Sequence, residues 1–260
     1  MPIDKAAYCS EQPFALYYKR ANEKVLLPHI LASAIRSFHF VPRTILDIGC
    51  NDGRFAAELL GLLSDAFPVG CRYTGIDPCV SALERFRNGD FPHGIFIELR
   101  AESAEDLPSG EKGGSDVQRY DLTIVAHSIY WVRELDETVK RILDISEFVL
   151  FVVRGCRGIY SIQELFRDKV PSLEFNRYNA DDLERVLKDR AVGYERLNVA
   201  TEIALENIDD EEMRQLISFC LDSPLDVMGE AVVRDAMTLL LSYGDRITHD
   251  VSVFVVPPRR

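Results

Sequence analysis

Ile45-Leu46-Asp47-Ile48-Gly49-Cys50-Asn51-Asp52-Gly53-Arg54-Phe55 passes from an apolar run into a glycine-punctuated turn and on into an amphipathic stretch. Gly49 and Gly53 let the backbone turn sharply and run close to a ligand, and a helix opening after them offers unpaired N–H groups. A strand, turn and helix of this kind suit a nucleotide-like ligand. The dinucleotide fingerprint G-x-G-x-x-G requires glycine at 51 and 54, where Asn51 and Arg54 stand, so a nicotinamide or flavin dinucleotide fits poorly.

Outward from this stretch, short β-branched or apolar runs alternate with amphipathic ones. The runs predict strands at Thr44–Gly49, Arg72–Ile76, Gly94–Leu99, Leu122–Ala126, Phe148–Val153, Tyr194–Val199 and Val251–Val256. Helices are expected at Arg54–Asp65, Val80–Arg87, Glu134–Ile145, Ile162–Val170 and Ala180–Arg190, the last behind a capping Asn179. This alternation is that of a mainly parallel, doubly wound α/β sheet. An amphipathic helix over Asn22–Phe38 precedes it, and Asp209–Tyr243 reads as two further helices before the last strand. The expected organisation is a helical cap at 1–43, a core at 44–202, a helical insertion at 203–246 that either covers a substrate or packs on the core, and the last strand and tail at 247–260.

Composition bounds the partners. The 260 residues are 47% hydrophobic and 28% charged, enough for a sizeable core in one large α/β unit. With 30 basic and 42 acidic residues the net charge is −12, which argues against a broad nucleic-acid or anionic-membrane footprint. No apolar run approaches a membrane span and Met1–Lys5 opens no secretory signal, so a cytoplasmic protein is expected. The six cysteines have no zinc-ligand spacing and read as reduced, mostly buried thiols, with no metal expected. Pro108–Ser115 reads as a surface loop.

The spacing Asp47-x-Gly49-x-Asn51-x-Gly53, followed by Asp77-Pro78 at the end of the next strand, resembles the motifs of class I S-adenosylmethionine-dependent methyltransferases, and the order of elements from 44 to 256 resembles that family too. The resemblance implies a Rossmann-like fold with a seven-stranded, mostly parallel sheet, an antiparallel last strand and helices on both faces. It implies S-adenosylmethionine as cofactor, S-adenosylhomocysteine as product, and a small-molecule acceptor. Asp47, Gly49, Asn51 and Gly53 would form the cofactor loop, and Asp77 would accept the ribose hydroxyls beside Pro78. Ser103, in preference to Glu102, would face the adenine edge; Ala126 and His127, leaving the fourth strand, would pass the methionine portion and the methyl.

Within that family the layout is most similar to the histamine N-methyltransferase type, through Tyr130-Trp131-Val132, Gly155-Cys156-Arg157-Gly158, Asn179-Ala180-Asp181-Asp182-Leu183 and the ending Thr248–Val256. This implies Glu23, His127 and His249 as the polar groups around the acceptor, with transfer to nitrogen. Histidines stand at 127 and 249 where the subgroup would have amides, so histamine itself is not the expected substrate. A neutral imidazole can accept the proton that an attacking nitrogen releases. Arg154 and Arg157 would suit an acceptor carboxylate or phosphate. Tyr17 and Tyr18 read either as a flap over the cofactor or as a packed surface pair, and Trp131 either as an acceptor wall or as core. Two other readings stay open: an RNA methyltransferase, which the net charge opposes, and a non-catalytic scaffold that keeps the cofactor. Nothing in the sequence reads out the oligomeric state.

Overall fold

The structure is a computed structural model that describes residues 9–108 and 118–258; the loop expected at 109–115 lies outside them. Seven strands, β1 (Thr44–Ile48), β2 (Cys71–Ile76), β3 (Ile95–Arg100), β4 (Tyr120–Ala126), β5 (Ser146–Arg154), β6 (Glu195–Ala204) and β7 (Arg246–Val256), form one sheet in the order β3-β2-β1-β4-β5-β7-β6. β1 to β5 pair in parallel, and β7 runs antiparallel between β5 and β6. The expected architecture is the observed one.

Alternate residues of the buried strands feed two cores, as the two-residue period of a pleated strand requires. On β5, Phe148, Leu150 and Val152 face one side, where α2 (Glu23–Ser37) and α3 (Arg54–Leu62) supply Leu27, Leu31 and Leu59. Val149, Phe151 and Val153 face the other, against Val139 and Ile142 of α5 (Leu135–Ile145) and Leu183 of α7 (Ala180–Asp189). The Asn179 side chain accepts from the backbone N–H groups of Asp181 and Asp182, and Asp182 reciprocates at the Asn179 N–H, so α7 begins where the sequence indicated. The remaining helix of the core, α4, spans Val80–Arg87.

A third apolar cluster joins segments that sequence periodicity does not connect. It packs α1 (Glu11–Arg20), α6 (Ile159–Phe166), α8 (Asp210–Cys220) and α10 (Glu230–Ser242), with the short α9 (Leu225–Met228) between the last two. α1 was not anticipated, and α6 begins three residues before the expected Ile162 and ends at Phe166 rather than Val170. The helices between β6 and β7 number three, not two, and β6 and β7 extend to Ala204 and from Arg246, inside the stretch read as wholly helical. Their mutual pairing over ten residue pairs sustains this extra length. Cys9 and Cys79, expected as free thiols, are joined in a disulfide with Cα atoms 6.1 Å apart, tying the chain ahead of α1 to the turn after β2. Among the described residues no helix is long and apolar enough to cross a membrane.

Candidate cofactor and acceptor site

In the strand order, neighbours of β1 diverge: β2 lies on one side and β4 on the other, so the loops leaving β1 and β4 open a crevice at the carboxyl ends of the strands. The Gly49 and Cys50 N–H groups both donate to the Ile76 carbonyl, at 2.8 and 3.2 Å, and hold the loop against the end of β2. Across the crevice the Ser128 hydroxyl donates to the Ile48 carbonyl at 2.5 Å. Gly49 has φ +77°, and a Cβ there would lie 2.3 Å from that of Ser128, so glycine is required for this closure.

One cavity runs from Asp77, Pro78, Glu102 and Ser103, past Asp47, Gly49 and Asn51, to Ala126, His127, Glu23 and His249. All but two of the residues assigned from sequence therefore border a single space, the exceptions being Gly53 and the exposed Arg157. Gly53 caps α3 at φ +78°, and a Cβ would meet the Phe86 ring at 2.6 Å, so it serves the turn from behind. Gly53→Ala combines a left-handed alanine with overpacking, together worth about 2–4 kcal/mol, and should lower the calorimetric Tm by roughly 5–10 °C. A Tm unchanged within a degree would refute this account of the turn.

The cofactor end is acidic. Asp77 is almost wholly buried, and its oxygens accept from the backbone N–H groups of Cys79 at 2.8 Å and Asn51 at 3.0 Å. Each oxygen keeps a lone pair for a further donor. Burial pushes the Asp77 carboxyl up to about 6, against those two N–H groups. Burial likewise raises Asp47 to about 7, although the Tyr73 hydroxyl donates to it at 2.6 Å. Asp52 is paired with Arg54 at 3.2 Å. The Cys50 thiol is buried and pushed well up by that burial, which makes it a core filler rather than a nucleophile. Ser103 caps the 3-10 turn Ala104–Asp106, accepting from Glu105 N, so its hydroxyl hydrogen remains for a ligand acceptor; Glu102 borders the cavity beside it.

The other end is built by three elements. Glu23, at the start of α2, is fully buried; Lys24 Nζ lies 2.8 Å from its Oε1, His127 Nε2 3.4 Å from Oε1, and His249 Nε2 3.5 Å from Oε2. Burial opposes its charge, but Lys24 and the two histidines hold its carboxyl well below the usual carboxylate range. Burial pushes His127 down to about 3 and also lowers His249, in each case against the pull of Glu23. Lys24 is thus the near partner of Glu23 Oε1, whereas His127 Nε2 makes no aligned hydrogen bond among the described residues. His127 has φ +55°, a left-handed conformation costly for a residue other than glycine and often found where a side chain is held for use.

Aromatic side chains close this end, and sequence reasoning missed several. Tyr17 is buried and stacks on Phe219 of α8 with ring centroids 4.0 Å apart; Phe14 of α1 also borders the cavity, as do Tyr130 and Trp131. Tyr17 is thus packed and on the cavity wall at once. The run Phe14–Tyr18 was visible as a concentration of aromatics, but its partner Phe219 lies two hundred residues away in sequence. Arg154 borders the cavity, while Arg157 is exposed and paired with Asp250 at 2.6 Å, so the expected two-arginine grip does not exist. A short surface loop carries Arg157 away from β5 and outward.

Residues 46–145 match a family model described as a methyltransferase domain. The chain is 26% identical over 152 residues to the malonyl-[acyl-carrier protein] O-methyltransferase of Neorickettsia risticii (strain Illinois), an alignment covering 58% of this chain and 54% of that one; the chain thus spans about half the length of that curated relative. Among solved structures it is similar to a cyclopropane-fatty-acyl-phospholipid synthase-like protein from Lactobacillus casei ATCC 334 (TM-score 0.59, 18% identity, 90% of each chain). It is also similar to the N-methyltransferase NodS from Bradyrhizobium japonicum WM9, in complex with S-adenosyl-L-homocysteine (TM-score 0.52, 13% identity, 96% of this chain and 95% of that one). At these identities the structural likeness concerns the fold. Together with the domain match, the glycine loop over the crevice and the carboxylate ending β2, it makes residues 46–145 a methyltransferase domain within a Rossmann-like fold similar to that of S-adenosylmethionine-dependent methyltransferases.

Proposed function

We propose that the protein binds S-adenosylmethionine and transfers its methyl group to a nitrogen atom of a small-molecule acceptor. The observation that carries this reading is the continuity of one cavity from the Asp77 carboxylate to the Glu23, His127 and His249 cluster. The residues fit the cofactor. Asp77 keeps lone pairs for two ribose hydroxyls, and Asp47 and Asp77, raised by burial, have no cation within ion-pair distance among the described residues, which suits a ligand that carries positive charge. When bound, the cofactor supplies a methyl group already activated by its positive sulfur. What is left to the protein is alignment, exclusion of water and removal of a proton.

The acceptor end favours nitrogen. With an ionised Glu23 3.4 Å from Nε2, the neutral ring of His127 favours its proton on Nε2, which leaves Nδ1 as the proton acceptor, and any imidazolium that forms keeps the carboxylate beside it. Among the described residues that border the cavity, a carboxylate acceptor finds both cations engaged. Lys24 is held by Glu23, and Arg154 gives its N–H groups to Gln163 Oε1 and to the Tyr178 and Asn176 carbonyls. The similar malonyl-carrier enzyme acts on oxygen, so the nitrogen assignment rests on this charge arrangement. Transfer of labelled methyl from S-adenosylmethionine into a mixed pool of small amines, hydroxylated aromatics, RNA and protein, fractionated by size, is the test. Label is expected in small nitrogen compounds. Label in RNA or protein alone would refute the acceptor class, and bound cofactor without any transfer would favour a scaffold.

A further inference from the structure

Beyond His127, the acceptor end of the cavity has a second polar pole. Arg154, Gln163, Asn176 and Asp222 all border it, and all four are at most 4% exposed. Arg154, at the end of β5, lies 4.3 Å from the centroid of the Tyr130 ring, and Tyr130 lies 6.4 Å from the His127 ring, so Tyr130 separates this pole from the histidine. The pole is well fixed. Gln163 donates to the Cys220 carbonyl at 2.8 Å while its Oε1 accepts from Arg154, and the Asn176 carbonyl accepts from Arg154 at 3.2 Å.

One atom of this network is left over. The Asn176 side-chain oxygen is buried and has no hydrogen-bond partner among the described residues. A buried acceptor without a donor forfeits a hydrogen bond it would make in water, and polar atoms in this state are ordinarily matched by something that binds beside them. The electrostatics narrow what that is. Arg154 and Asp222 border the same space with opposite charges, Arg167, which also donates to the Asn176 carbonyl, is paired with Glu164, and Arg154 donates to protein acceptors, so the formal charges at this pole cancel. An anion would meet the Asp222 carboxylate in the same space and a cation the Arg154 guanidinium, whereas an uncharged donor meets neither penalty.

Resting on the small-molecule nitrogen reading, we infer that Asn176 selects the acceptor by receiving an uncharged hydrogen-bond donor, such as an amide N–H or a hydroxyl, at the end remote from the atom that is methylated. The space between the poles is walled by the aromatic rings of Tyr130, Trp131 and Phe219, which suit stacking on a planar body. Asn176 is then a specificity determinant with no part in the chemical step.

The test uses four ligands on one ring: 3-aminobenzamide, 3-aminobenzoate, 3-methylaniline and 3-aminobenzylamine. Their binding to the full chain saturated with S-adenosylhomocysteine is read by calorimetry. The carboxamide is expected to bind at least tenfold more tightly than the other three. Asn176→Leu should abolish that preference without altering S-adenosylhomocysteine affinity, and the isosteric Asn176→Asp should turn it toward the cationic 3-aminobenzylamine. Equal affinities, no binding by any of the four, or a wild-type preference for the benzoate or the benzylamine would overturn the inference. The underlying methyl-transfer reading fails differently, through absent cofactor binding or absent transfer to every small nitrogen compound in the labelled pool.

Discussion

Asp77→Ala is expected to weaken S-adenosylmethionine binding by roughly 30- to 1000-fold, about 2–4 kcal/mol, because it removes a buried charged acceptor for two hydroxyl groups. Calorimetry measures this directly, and an affinity within threefold of wild type would remove Asp77 from the cofactor site. The carboxylate also accepts from Asn51 N and Cys79 N, so part of the loss would come from loosening the glycine loop. Asp77→Asn separates the two: its amide oxygen still serves one of those N–H groups, and an intermediate loss is expected. The pH dependence gives an independent readout. Asp77 titrates at about 6 and accepts fully only when ionised, so wild-type affinity should fall as pH drops through 6. In Asp77→Asn that limb should vanish, leaving a shallower one from Asp47, moved down from about 7 because the Asp77 charge is among the causes that raise it. The same raised values act on stability in the cofactor-free protein. Below an ordinary carboxylate pKa of about 4 both groups are protonated whether folded or unfolded. As pH rises the unfolded chain ionises first, so stability is lost progressively until pH passes 6 and 7, and cofactor binding should be most stabilising above that window.

The proposed cofactor half was legible in the sequence because its chemistry is local. A glycine turn after an apolar strand and an acidic residue at the end of the next strand are read from consecutive residues, and parallel pairing of β1 with β2 brings Asp47 and Asp77 to the same end of the sheet. Even there, Gly53 shows the limit: its identity is dictated by the Phe86 ring beneath it, not by a ligand in front of it. The acceptor half depends on contacts across long sequence separations. Phe219 becomes a wall only because α1 and α8 share an apolar cluster, and neither helix has a pattern that names the other. Arg154 and Arg157 are three residues apart, yet one ends a buried strand and the other follows a turn to the surface. Spacing alone could not tell them apart. The family resemblance pointed to Glu23 beside the acceptor but not to Lys24, which lies within the stretch read as an amphipathic helix and becomes half of a buried ion pair only through packing.

Replacing His127 by asparagine should lower kcat for a nitrogen acceptor by roughly 100-fold, with little change in the KM for S-adenosylmethionine. Asparagine tolerates the left-handed backbone at this position, so the substitution removes the imidazole without imposing the strain that a bulkier residue would bring. The pH profile distinguishes a proton acceptor from a merely structural side chain. Burial holds His127 at about 3, so it stays neutral from pH 5 upward, and wild-type kcat should show no loss near the ordinary histidine value of about 6.5. A limb centred there would contradict the neutral imidazole. So low a value also restricts the acceptor. An imidazole of this basicity takes a proton readily only from a strongly acidic cation, and an arylamine or ring nitrogen that has just accepted a methyl is far more acidic than an alkylammonium. The rate loss in His127→Asn should therefore be large for arylamine or azole acceptors and small for aliphatic amines, whose proton can leave to water later. An equal loss for both classes would assign His127 to positioning, with Glu23 3.4 Å away as the group that orients its ring.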